Sequence, residues 1–91
     1  MILAAAIKFH IDSTNQDVVL CGSRHHQIFK QLEPLGFEAG KGYKVIEQGF
    51  ITDRGHFMDR YHAWYEAYAC GQLKPAILCR NTKELFSEDL W

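Results

Sequence analysis

From Gly49 to Arg60 the chain reads Gly-Phe-Ile-Thr-Asp-Arg-Gly-His-Phe-Met-Asp-Arg. That is the end of an apolar strand, a turn at Asp53-Arg54-Gly55, a second short apolar segment and the start of a helix. Such a junction commits the chain to two strands joined by a tight turn and feeding directly into a helix, with Asp59 as the cap. A helix start leaves backbone N–H groups unpaired at the positive end of the macrodipole. Arg54, His56 and Arg60 gather around this one, which makes it a candidate site for a phosphate or another anion.

The rest of the chain extends the same alternation. Residues 2–10 are apolar at nearly every position, as in a buried strand, and end in the polar run Asp12-Ser13-Thr14-Asn15-Gln16. Asp17–Cys21 reads as a second strand from its β-branched content, and the short link makes the pair a hairpin. Ser23 is a good cap for a helix reaching to about Leu32, with Ile28, Phe29 and Leu32 at helical spacing, stopped by Pro34 and Gly36. The glycine-rich segment from Phe37 reads as a loop, and Tyr43–Ile51 as a strand in which Gly49 marks a bulge or bend. The second helix is expected to run from Asp59 to about Cys70, with Gly71 just past its end. Ala76–Cys79 reads as a last short strand, and Leu85–Trp91 as an amphipathic tail. The order β-β-α-β-β-α plus a short C-terminal segment predicts an α+β fold: an antiparallel sheet with two helices packed on one face. Residues 1–91 read as a single compact domain.

Composition narrows the function classes. Apolar residues make up 47% and charged residues 23%, a globular balance rather than a disordered one. A chain of 91 residues with many large rings often covers apolar surface by self-association, so a homodimer is expected. The net charge is −1 and there is no basic stripe, which argues against a DNA or RNA duplex as partner. Cys21, Cys70 and Cys79 lack paired spacing and suit buried thiols in a reducing cytoplasm; no metal site or cofactor is expected. The apolar start is too short to span a membrane and lacks the basic flank of a signal peptide.

Each candidate site has a plainer reading. Arg60, in a first helical turn, is electrostatically disfavoured unless an anion answers it; the plainer alternative is a surface pair with Glu66 or Asp53. Ser23-Arg24-His25-His26 repeats the arrangement at the other helix start. There Arg24 with a histidine could hold a phosphate and Phe29 could stack a base, or the segment is a solvated turn. Adjacent histidines diverge by about a hundred degrees on a helix, so a shared metal ion is disfavoured. Trp64 and Tyr68, at four-residue spacing beside the small residues Ala63, Ala67 and Cys70, read as core or subunit interface rather than a base-stacking platform. No hydrolase, P-loop or zinc-protease signature is present.

Three blocks carry a resemblance. Gly49-Phe50-Ile51-Thr52 with Gly55-His56-Phe57-Met58-Asp59-Arg60, then Ala63, Glu66-Ala67 and Gly71-Gln72, resembles a pattern in small tailed-phage proteins. There it reads roughly G-F-[LI]-T-x-x-G-R-F-V-D-R before an alanine-rich helix ending in G-Q. Arg24-His25-His26 and Leu85-Phe86-Ser87-Glu88-Asp89-Leu90-Trp91 match the same proteins. Within them the chain resembles the first-described type of Thoeris anti-defence proteins, sponges that sequester cyclic ADP-ribose isomers or cyclic oligonucleotides. The resemblance implies dimers and trimers of dimers in the cytoplasm of an infected bacterium. It also implies a pocket built on two arginines four residues apart. Arg60 occupies the second of those positions and His56 the first, and an imidazole there is expected to alter affinity or ligand identity.

The expected ligand set is therefore Arg24, His25, Phe29, Thr52, His56, Phe57, Asp59 and Arg60, acting on a cyclic nucleotide signal without cleaving it. The alternatives are a small phosphodiesterase using His25 or His26 with His56, and a module docking on a host protein through Trp64 and Tyr68.

Overall fold

The computed structural model describes residues 1–37, 41–78 and 83–90. The expected fold class is present: four antiparallel strands, with helices packed on one face of the sheet. β1 (Ile2–Ile11) and β2 (Gln16–Gly22) form a hairpin, α1 (His25–Lys30) follows, and β3 (Tyr43–Thr52) turns into β4 (Phe57–Asp59) and α2 (Arg60–Ala69). A short α3 (Pro75–Leu78) and a single 3-10 turn at Ser87–Asp89 complete the order. The strands lie in the order β2-β1-β3-β4.

β1 is the spine. Its residues Ala5, Ile7, Phe9 and Ile11 alternate onto one face, where they meet Phe50 of β3, Ile28 of α1 and Ala63, Trp64 and Ala67 of α2. Alternation puts Lys8 on the opposite face, where its ammonium lies 4.9 Å from the centre of the Phe57 ring. Leu32, just past α1, and Leu85, from the C-terminal segment, close the same core, and Leu85 is fully buried. The small residues Ala63 and Ala67 allow α2 to approach the sheet closely, as their spacing suggests.

β1 pairs with β2 only from Ala5 onward, which leaves the backbone of Ile2 without a strand on that side. Gln72 fills the gap. Its Oε1 accepts from the Ile2 N–H at 2.8 Å and its Nε2 donates to the Ile2 carbonyl at 2.9 Å. The side-chain amide thus imitates the peptide group of a neighbouring strand. Gly71, at φ 71°, ends α2 in the left-handed turn that glycine favours and delivers Gln72 to that position.

Four local expectations are corrected. Arg24, not Ser23, occupies the cap position of α1 and offers no side-chain bond there, because the Ser23 hydroxyl donates to Gln27 Oε1 instead. α1 ends at Lys30 rather than Leu32: Gln31 and Leu32 donate to the carbonyls three residues back, tightening the chain ahead of Pro34. The segment 75–78 is helical rather than a strand, with Pro75 at its first position, where a fixed φ and a missing N–H are tolerated; Cys79 lies outside the described residues. The thiols of Cys21 and Cys70 are exposed, not buried: Cys21 lies on the outer strand β2 and Cys70 just past the end of α2, on the wall of a cleft. Part of the glycine-rich loop (38–40) and Trp91 also fall outside the described residues.

Candidate functional site

Gly49 is where the two helix starts converge. On one side it pairs with Asp59, the cap of α2, in the β3–β4 ladder. On the other, Nε2 of His25, the first residue of α1, lies 2.8 Å from the Gly49 carbonyl oxygen. A carbonyl can only accept, so Nε2 carries the hydrogen and donates it. The His25 ring also meets Phe50 edge-on at 5.2 Å. Burial pushes the His25 imidazole below its ordinary value; the bond to Gly49 opposes that shift, and the charge of Arg60 adds to it. His25 and Arg60 therefore share one electrostatic neighbourhood, in which Glu88 is also felt.

Gly49 cannot be any larger residue without rearrangement. A Cβ there would run into the Met58 carbonyl oxygen and come within 2.9 Å of the Phe57 ring. β4 passes that close because the position has no side chain, and this closeness sets where Asp59 and Arg60 emerge.

Arg60 finds its answer inside the protein. Its Nη2 donates to Gln48 Oε1 at 2.9 Å, and its guanidinium lies 4.9 Å from the centre of the Phe86 ring, a cation–π distance. Its backbone carbonyl accepts from Leu85 N–H at 2.9 Å. Neither Asp53 nor Glu66 pairs with it; those two carboxylates hold the Met1 ammonium at 3.2 and 2.7 Å. The arginine is thus held in place while facing a cleft of about 440 Å³ between β3 and the start of α2. Gln48, Tyr61, Glu47, Asp59 and Glu84 line the same cleft.

The other expected ligand residues divide between this neighbourhood and elsewhere. Arg24 stands beside His25, and its Nη1 is buried with no hydrogen-bond partner. Asp59 caps α2: its carboxylate accepts from the His62 N–H at 2.7 Å and contacts His62 Nδ1 at 2.8 Å. The backbone bond from His62 is the main cause holding the Asp59 carboxyl below the usual carboxylate range. Thr52 is buried, and its Oγ1 accepts from the N–H groups of Arg54 and His56 at 3.3 and 3.2 Å, so its hydroxyl shapes the turn. Phe29 packs edge-on against Phe9 at 5.7 Å, toward the far end of the sheet.

His56 and Arg60 are separated. Between them lies β4, and four extended residues span about 13 Å. His56 lines a different cleft, of about 320 Å³, with Arg54, Asp53, Glu66 and Cys70. Phe57 points to the sheet face away from the helices, since its neighbour Met58 packs toward the core. The four-residue spacing reads as one helical turn only if the helix already includes position 56, and here it starts at Arg60.

Sequence reasoning missed Gln48, Phe86, Tyr61 and the cleft carboxylates Glu47 and Glu84. Gln48 carried a usable signal. It lies two residues before the buried Phe50 on the same strand face, and a polar side chain at an inward position needs a partner. Phe86 carried none, because it reaches Arg60 through the return of the C-terminal segment.

The cleft combines one guanidinium with three carboxylates, a tyrosine ring and an amide. Val45 and Ile46 add two aliphatic side chains to the same lining. No group of histidine, cysteine and acidic side chains arranged to hold a metal ion occurs among the described residues. No helix among them is long and apolar enough to cross a membrane.

The family model described as phage T4 y16D protein matches residues 1–91, and the chain belongs to that family. No curated protein and no solved structure gives a match.

Proposed function

We propose that this member of the phage T4 y16D family is a binding protein that captures a small cyclic nucleotide signal in the infected host without cleaving it. The candidate ligands are cyclic ADP-ribose isomers and cyclic oligonucleotides, as the motif resemblance to Thoeris anti-defence proteins implies. The observation that carries this reading is the convergence of both helix starts on Gly49. There His25 reaches the Gly49 carbonyl and the charge of the anchored Arg60 is felt at its ring, and the neighbouring Arg24 keeps a buried Nη1 without a hydrogen-bond partner.

The cleft chemistry fits such a ligand piece by piece. Arg60, already oriented by Gln48 and Phe86, offers donors to a phosphate at little ordering cost. Glu47 and Glu84 can accept from ribose hydroxyls, as an acidic residue does in dinucleotide sites. Tyr61, 57% exposed, offers a ring face to a base. Sequestration rather than cleavage is favoured because His25 Nε2 is engaged by the Gly49 carbonyl and His56 lines another cleft. The two histidines a phosphodiesterase would need are therefore apart.

The test is to incubate the protein with cyclic ADP-ribose isomers and with cyclic di- and trinucleotides, denature it and identify the released small molecule by mass spectrometry. Intact ligand is expected, with affinity reduced at least tenfold in Arg60→Ala. Cleaved nucleotide would turn the assignment to an enzyme, and absence of binding to every compound would sink it.

A further inference from the structure

The two edges of the sheet are unlike. β4 is three residues long and covers only Gly49–Ile51 of β3, while the rest of that edge, Tyr43–Gln48, carries Lys44 and a register shift against β1. β2 is seven residues long and pairs with β1 alone, in an unbroken register. Edge strands of monomeric proteins are normally blunted by lysine, proline, a bulge or a covering segment. β2 has no lysine, no proline and no register shift against β1. Its centre is Val18-Val19-Leu20, with Val19 38% exposed. Among the described residues, Gln31 reaches its backbone: its Nε2 donates to the Cys21 carbonyl at 2.7 Å, close to one end.

Charge runs along this strand. Asp12 and Asp17 lie at its start; Arg24 and His26 follow its end. Laid antiparallel beside a copy of itself, its acidic end meets the basic end of the copy, whereas a parallel arrangement would set like against like. Only one antiparallel register overlaps all seven residues, with the Cys21 carbonyl kept by Gln31. It is centred on Val19, with Val18 opposite Leu20 of the partner subunit and Asp17 opposite Cys21 of the partner subunit. The pattern is apolar at its middle and self-complementary in charge at its ends.

We infer that β2 pairs antiparallel with β2 of a second copy of this chain, joining the two four-stranded sheets into one across a two-fold axis. The contact is isologous, so it closes after one step, and the outer edges, short β4 and the stretch of β3 blunted by Lys44 and a register shift, do not extend it. The inference rests on the strand edge and the charges that flank it; Arg24 is shared with the ligand reading, and the cross-link at position 19 tests the edge without any ligand.

Sedimentation and light scattering on the full chain test it. A species of twice the chain mass of 10.5 kDa is expected. Val19→Lys sets like charges directly opposite each other and should weaken self-association at least tenfold, leaving the far-ultraviolet circular dichroism unchanged. In a background of Cys21→Ser, Cys70→Ser and Cys79→Ser, Val19→Cys should give a disulfide-linked dimer on mild oxidation, while Val45→Cys, exposed elsewhere, should not. If Val19→Lys fails to fold, the cross-link decides. A single-chain mass at every concentration, a dimer undisturbed by Val19→Lys, open-ended assembly, or cross-linking at Val45→Cys but not Val19→Cys would overturn the inference.

Discussion

His25 ties together two elements that the sequence leaves 24 residues apart, and it does so as a neutral ring. Its folded-state value lies below its ordinary 6.5, so near that pH the unfolded chain binds more protons at this position than the native one. The resulting stability is fully present above about pH 6.5 and is lost as pH falls through the folded value. Urea titrations at pH 7.5 and 5.5 should show the wild type losing stability on acidification, and His25→Gln showing a shallower loss. Equal losses in the two proteins would mean that His25 titrates alike in the folded and unfolded chain. At this scale the sequence marked side chains but not their partners. Arg24, His25 and Arg60 stood out as cations at helix starts, whereas the Gln48 amide and Phe86 ring that hold Arg60 depend on contacts across the chain.

Most elements were legible because their signals are local. Alternation and β-branching mark the first hairpin, and Asp59 and Gly71 bracket α2 at both ends. The failures have local causes as well. Four apolar residues at 75–78 look alike as strand or helix turn until Pro75 decides, and spacing between positions 56 and 60 means one thing in a helix and another in a strand. The β3–β4 pair hangs on Gly49, which sequence reading took for a bulge or bend and which proves to be a point of close approach. Gly49→Ala should therefore destabilise by about 1–3 kcal/mol or more, since a backbone carbonyl cannot yield as a flexible side chain can. It should also displace Asp59 and Arg60. A denaturation midpoint unchanged within about 0.5 kcal/mol, an ordinary surface effect, would show that β4 can move aside freely.

Over the whole molecule, contacts between distant segments close the fold. Gln72 clamps Ile2 across 70 positions, and Leu85 enters a core laid down by β1. Gln72→Ala would leave both Ile2 backbone groups unpaired, at a cost of about 1–3 kcal/mol. For a chain of this size each kcal/mol moves the melting midpoint by about 4–8 °C, so the shift is measurable by calorimetry. An unchanged midpoint would mean that water replaces the clamp without loss. The central place of β1 has a temporal side too. Every element that covers this apolar strand is translated after it: β2 at once, β3 later, α2 and Leu85 last. During synthesis the strand most in need of burial must wait for its cover, held by one hairpin. Such a chain completes its fold in a late, concerted step rather than piece by piece, and the waiting strand is the part a chaperone would shield or an aggregate would seize.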